Sequence, residues 1–193
     1  MNALDHFRHH LRQPNVRVED LALDIAHIGR AEFDPADYLI ELDRLADYVD
    51  LHLDSALSGR AAATRFLEIL THDLAFCGSH ADYRDPRNSF LDQVLERRTG
   101  LPIMLALVGM AVGRRLGLRI DGMGFPYHFM ARYTDAEGVW LLDLFHDVVV
   151  EIGNAEAHLA GVVGRPVTLA PASFTPVTAH ELAARILNNL RAA

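Results

Sequence analysis

The chain has a single cysteine, no apolar run of membrane-spanning length and no excess of basic residues. The lone thiol, Cys77, excludes a disulfide within the chain and is typical of a reducing compartment. The longest apolar run covers residues 101–112, which suits a buried helix better than the roughly 20 residues of a membrane span. Lys and Arg total 18 against 26 acidic residues, and a formal charge of −8 disfavours a phosphate-tracking surface. We therefore expect a cytoplasmic protein with neither nucleic acid nor membrane as a partner.

Size and composition predict one folded unit. The chain has 193 residues, of which 50% are hydrophobic and 23% charged, and it contains no internal repeat, low-complexity tract or linker. Its first residues mix charged with apolar side chains and lack the apolar region of a signal peptide. We expect a single domain over residues 1–193, with a helical part at 1–78 and a second part at 79–193.

Apolar residues recur every three or four positions through three segments of the first part, which predicts three helices. The first covers residues 18–28. The second begins with Asp34 as its N-cap and Pro35 at its first position, a favoured helix opening. The third covers residues 60–76 and ends before Gly78.

The second part combines helices with short strands. Ser89 is placed to cap a short helix, and a buried helix opens at Pro102 and closes at Gly117. Gly-punctuated segments rich in β-branched and aromatic residues then predict a small antiparallel sheet. Its strands are expected at residues 118–123, 128–133, 139–144 and 147–152, followed by helices at 155–159 and 178–190.

Four motifs stand out in the sequence. They are "FDPADYLIELDRLA" in the first part, and "NSFLDQVLERRTGLPI", "PYHF" and "LLDLF" in the second. Together they resemble the transglutaminase-like superfamily, specifically its bacterial invasion-regulator branch. The resemblance extends over about residues 21–190. It implies an α+β fold in which the helical first half precedes a papain-like core, a buried helix packed on a small antiparallel sheet.

The resemblance also implies where a catalytic site would lie. Active relatives place a Cys at the amino end of the core helix, a His on the next strand and an Asp on the strand after it, so that the His activates the thiol and the Asp orients the His. His128 takes the His position and Asp143 the Asp position. The Cys position falls near Pro102, Ile103 or Met104, none of which is a nucleophile.

We therefore predict a degenerate, non-catalytic domain that binds a ligand or works as a regulatory interaction module. Its expected partner is a peptide segment of another protein or a small polar ligand, held in the cleft beside His128. Asn88, Arg97, Met104 and Tyr127 are the predicted binding residues around this pair. An arginine that faces the cleft, from the pair Arg97 and Arg98, would bind a carboxylate.

Two enzymatic alternatives remain open. In one, Cys77 serves with His128 and Asp143 as the nucleophile of a cysteine hydrolase or acyltransferase. In the other, the His and Asp activate water or hold a metal, with His146 and Asp147 nearby. Since neither HExxH nor paired Cys/His spacing occurs, the leading prediction contains no metal and no other cofactor.

The last helix completes the partner predictions. Relatives of this branch continue past "RILNNLR" into helical repeats, whereas this chain ends at Ala193. An apolar face on this helix would then be covered elsewhere by repeats or by a second subunit. We accordingly include a homodimer formed through the C-terminal helix among the expected partners.

Overall fold

The computed structural model describes residues 2–30 and 32–193 and confirms the α+β fold. Two-residue strands Cys77–Gly78 (β1) and Thr99–Gly100 (β2) pair in parallel. The main sheet is antiparallel in chain order, from Arg119–Phe125 (β3), His128–Asp135 (β4), Gly138–Asp143 (β5) and Val148–Glu151 (β6). The helices are Ala3–His10 (α1), Val18–Gly29 (α2), Pro35–His52 (α3), Gly59–Glu68 (α4), Leu91–Arg97 (α5), Pro102–Arg115 (α6), Ala155–Val163 (α7) and Ala179–Ala192 (α8).

Helix α6 is the centre of the core. It is apolar on all sides, and 11 of its residues are buried, as expected for a helix surrounded by protein. Pro102 occupies its first turn, where a missing N–H leaves no hydrogen bond unmade. The helix packs on β3 and β4 on one side and on α2 and α3 on the other. It therefore joins the helical part to the sheet.

Both faces of the sheet are covered. On β4, Phe129, Ala131 and Tyr133 belong to the large core around α6, because alternate side chains of a strand share a face. Met130 points the other way, into a smaller core that includes Leu159 of α7. This second layer places α7 beside the ends of β4 and β5.

A buried ion pair fixes α2 against the end of α6. Glu19 is fully buried, and its Oε1 accepts hydrogen bonds from Arg114 at 2.5 Å and Arg115 at 3.0 Å. Two guanidinium groups compensate the buried carboxylate, which would otherwise be strongly destabilising.

Two predicted element ends are wrong. Helix α4 ends at Glu68 and passes into a π-helical turn, Ile69–Asp73, instead of continuing to residue 76. The hydroxyl of Thr71 donates to the carbonyl of Leu67 in this turn, and Ala75 then adopts a φ of +60° that no helix can continue.

The segment before α5 also differs from the prediction. Ser89 does not cap α5, because it is the last residue of a 3₁₀ turn that begins at Pro86. Asp85 caps that turn by accepting from the N–H of Arg87, and Phe90 becomes the N-cap of α5 without a side-chain hydrogen bond.

The C-terminal helix turns its apolar face inward. It opens with a capping box between Thr178 and Glu181, and Leu182, Ala183 and Ile186 are buried in the large core. Leu187 is the large apolar side chain that this helix exposes. A homodimer through α8 would therefore meet little apolar surface. Across residues 2–30 and 32–193, no helix has both the length and the apolar character needed to cross a membrane.

Two glycines of α6 give a matched test of this packing. A Cβ at Gly113 would lie 2.5 Å from Cδ1 of Ile120, whereas a Cβ at Gly109 would meet no atom closer than 3.7 Å. We expect Gly113→Ala to lower the free energy of unfolding by about 1–2 kcal/mol through overpacking. Gly109→Ala should leave it unchanged or raise it by up to about 1 kcal/mol, because Ala favours helix. Urea unfolding measures both, and equal effects would contradict the packing described here.

Candidate functional site

His128 and Asp143 meet at one end of the sheet. His128 is the first residue of β4 and Asp143 the last residue of β5, and these two strands are neighbours. Nε2 of His128 lies 2.7 Å from Oδ2 of Asp143, and both side chains are buried. The structure thus brings together the two residues to which the resemblance assigns the His and Asp positions.

Two more histidines contact the same carboxylate oxygen. Nδ1 of His146 lies 2.9 Å from Oδ2 of Asp143, and Nε2 of His158 lies 2.7 Å from it. His146 is in the turn after β5, and His158 is on α7. Asp147 stays outside this group, because its carboxylate binds His72 and Thr71 instead.

The second oxygen of Asp143 shapes the turn that carries His146. Oδ1 accepts hydrogen bonds from the backbone N–H groups of Phe145 at 3.1 Å and His146 at 3.2 Å, which is the pattern of an Asx turn. Burial, the largest single effect, raises the pKa of Asp143. The hydrogen bonds from His128, His158 and His146 outweigh it, and the pKa lies well below its usual range.

A strained hairpin turn places His128 at the start of its strand. Phe125 pairs with His128 across a two-residue turn formed by Pro126 and Tyr127. Tyr127 has a φ of +65°, a conformation that stores about 1 kcal/mol or more in a residue other than glycine. The residue is 71% exposed, and its ring lies under the guanidinium of Arg165, which is 4.6 Å from the ring centroid.

A cleft of about 210 Å³ opens beside His128. Its wall combines aromatic side chains with a cation and two amides, and it includes the start of α6. Burial raises the pKa of Tyr83, so its hydroxyl keeps its proton and can donate a hydrogen bond. The lining residues are Tyr83, Pro102, Ile103, Phe125, Tyr127, His128, Phe129, Arg185, Asn188 and Asn189.

The start of α6 brings no nucleophile to this cleft. Ile103 is the side chain that borders the cleft beside Pro102, whereas Met104 is fully buried in the core and does not line it. Met104, a predicted binding residue, therefore does not reach the cleft, and Ile103, one residue earlier on the helix, lines it instead.

Cys77 does not line this cleft. It is exposed, and its Sγ is 3.5 Å from the hydroxyl of Thr99. It lines a separate cavity together with His80 and His146. Within residues 2–30 and 32–193, no hydrogen bond joins Cys77 to His128, which a nucleophile and its base would need.

Asn88 and Arg97 contact each other next to the start of α6, outside the cleft. The buried amide of Asn88 accepts from Arg97 at 3.1 Å and donates to the carbonyl of Asp82 at 2.7 Å. The backbone carbonyl of Asn88 accepts from the N–H of Leu101, the residue before α6. This pair holds the start of α6 in place, and neither residue lines the cleft.

Sequence reasoning missed His158 and the contribution of α8. His158 is 15 residues from Asp143 on a separate helix, and no local spacing connects the two. Arg185, Asn188 and Asn189 reach the cleft from the far end of the chain. A run of polar residues on one face of an otherwise amphipathic helix was the available signal.

Comparison with known proteins connects this site to a family. The family model described as "Transglutaminase-like superfamily" matches residues 36–188. A UPF0162 protein of Xylella fastidiosa (strain Temecula1) is 38% identical over 135 residues, covering 67% of this chain and 47% of the relative. A UPF0162 protein of Vibrio cholerae is 31% identical over 155 residues, covering 80% of this chain and 57% of the relative.

A further relative is more distant. Protein SirB1 of Salmonella typhimurium is 24% identical over 152 residues, covering 78% of this chain and 56% of the relative. The chain spans about half the length of the curated relatives it matches. No solved structure matches it significantly.

Replacing Asp143 tests how much the site depends on this carboxylate. Asp143→Asn removes the charge that five N–H donors share, and we expect the free energy of unfolding to fall by about 2–4 kcal/mol. The matched control is Asp147→Asn, because the exposed contacts of Asp147 contribute about 1 kcal/mol or less. Urea unfolding at neutral pH compares the two variants. Equal losses of unfolding free energy in the two variants would show that the buried contacts of Asp143 contribute no more to stability than the exposed contacts of Asp147.

Proposed function

The chain belongs to the transglutaminase-like superfamily, and we propose that it is a non-catalytic binding domain that holds a ligand in the cleft beside His128. The observation that carries the proposal is the absence of a nucleophilic side chain at the start of α6. The cleft is lined by His128, which contacts the carboxylate of Asp143, and by Pro102 and Ile103, neither of which is a nucleophile. A histidine oriented by a carboxylate can still bind a ligand without activating a nucleophile.

The cleft wall favours a ligand with a carboxylate or a primary amide. Arg185 donates to the carbonyl of Gly124 at 3.0 Å, and within the described residues no carboxylate lies within salt-bridge distance of its guanidinium. Pro102 and Ile103 bring the positive end of the α6 dipole to the same cleft. Asn188 and Asn189 add amide groups that both donate and accept.

The size of the cleft favours one side chain of a peptide. A volume of about 210 Å³ is below the roughly 300 Å³ at which pockets begin to hold drug-sized ligands. A glutamate or glutamine side chain of a protein segment matches both the size and the polar groups. A regulatory interaction module that captures such a segment is the biological role we propose, and a free small polar ligand is the alternative occupant.

The geometry gives less support to catalysis by a cysteine than to ligand binding. Cys77 is exposed beside Thr99 and lines a cavity other than the cleft, without a hydrogen bond to His128 among the described residues. A cysteine hydrolase would need its thiol in contact with the base or one water away from it.

Titration with blocked amino acids tests the proposed ligand class. The N-acetyl methylamides of glutamate, glutamine and leucine are added to the ¹⁵N-labelled protein in the presence of EDTA. We expect saturable shifts at the start of α6 and on α8 for the first two compounds and none for leucine. Arg185→Gln should weaken binding about tenfold, which corresponds to about 1.4 kcal/mol.

Arg191→Gln is the matched control, because Arg191 is on the same helix but does not line the cleft. It should leave the affinities unchanged. Equal binding of leucine, or no effect of Arg185→Gln, would contradict the proposed cleft chemistry. Ammonia release from the glutamine compound that disappears in Cys77→Ala would instead support the cysteine enzyme.

A further inference from the structure

Four ligand-type side chains converge at one point between the sheet and α7. They are His128 at the start of β4, Asp143 at the end of β5, His146 in the following turn and His158 on α7. One nitrogen or oxygen from each lies within 4.8 Å of all the others. We propose that these four side chains bind one divalent transition-metal ion of the zinc class. The leading expectation from the sequence is a site without metal, and a metal held by His128 and Asp143 with His146 nearby is one of its open alternatives.

The hydrogen bonds of the cluster are the first argument. Three ring nitrogens, from His128, His146 and His158, lie 2.7–2.9 Å from the single oxygen Oδ2 of Asp143. A carboxylate oxygen offers about two lone-pair directions, so three ring donors exceed what it accommodates well. The other oxygen already accepts from two backbone N–H groups. A cation among these atoms would instead receive one lone pair from each ring and one from the carboxylate.

The donor set is the second argument. Three imidazole nitrogens and one carboxylate oxygen suit zinc and neighbouring first-row metals, whereas magnesium and calcium require mostly oxygen ligands. Ligand atoms about 2.1 Å from a tetrahedral ion are about 3.4 Å apart, so Oδ2 of Asp143 would withdraw by roughly half an ångström. All four atoms lie within 4.8 Å of one another, so the ring nitrogens would reach this spacing through small rotations of their side chains.

The third argument is that the ligands are held in place from behind and that ions can reach them from solvent. The Asx turn holds Asp143 from behind, as the outer-shell partners of metal ligands commonly do. His128 and Asp143 are buried, but the side chains of His146 and His158 are 31% and 18% exposed. The cluster is therefore rigid on its inner side and open to ions from solvent on its outer side.

An occupied site would also change the chemistry of the cleft, a consequence that rests on the proposed function. In the structure Nε2 of His128 contacts Asp143, and Nδ1 has no hydrogen-bond partner in the described part of the chain. When Nε2 donates to the carboxylate, Nδ1 of a neutral ring is an acceptor. When Nε2 binds a metal, Nδ1 carries the proton and becomes a donor. Metal binding would thus shift the cleft toward ligands with a carboxylate.

Cobalt titration tests the metal site directly. The full chain is stripped with EDTA, dialysed and titrated with Co²⁺, whose visible absorption reports its coordination, and bound metal is counted by elemental analysis. We expect one Co²⁺ per chain, displaced by one equivalent of Zn²⁺. His158→Ala should weaken binding at least about tenfold. His146→Ala removes the second partly exposed ligand, so the test does not depend on the folding of a single variant.

His6→Ala is the control, because His6 is an exposed histidine on α1, outside the cluster. The affinity of the His6→Ala variant for Co²⁺ should equal that of the unmodified chain. Absence of stoichiometric binding to the unmodified chain would overturn the proposal. So would binding that survives both His158→Ala and His146→Ala, or that is lost in His6→Ala. Since this titration contains no cleft ligand and the blocked amino acids are tested in EDTA, either proposal can fail without the other.

Discussion

The buried carboxylate of Asp143 is the interaction on which the site depends. It receives five N–H contacts, three from imidazole rings and two from the backbone of the turn that follows β5. Those donors belong to the start of β4, to the turn itself and to α7, three segments without a continuous ladder of hydrogen bonds between them. A buried charge with fewer partners would destabilise the fold, so the carboxylate holds these segments in one arrangement.

The site keeps the carboxylate that orients a histidine but has no thiol at the start of α6. In a catalytic member of the superfamily, the carboxylate orients a histidine that activates a thiol. Here the orientation is preserved at His128, while the start of α6 presents Ile103 and places Met104 in the core. The histidine is surrounded by an aromatic wall and by the cation and amides of α8. These features are the basis of the binding role proposed above.

The sequence predicts those parts of the molecule that follow local rules. The N-cap Asp34, the opening of α6 at Pro102 and the four strands follow from periodicity and turn chemistry. The pairing of His128 with Asp143 came from family motifs. The inclusion of His158 could not be predicted, because it depends on α7 crossing the far face of the sheet, a tertiary arrangement with no local pattern.

The protonation of the three rings tests most directly whether one carboxylate organises the site. Long-range ¹H–¹⁵N NMR of the histidine-labelled protein in EDTA reports which ring nitrogen carries the proton. Because the nitrogen facing the carboxylate must donate, the account predicts a protonated Nε2 in His128 and His158 and a protonated Nδ1 in His146. Asp143→Asn should change the signals of all three rings together. Averaged tautomers like those of exposed histidines, or a change confined to His128, would contradict the account.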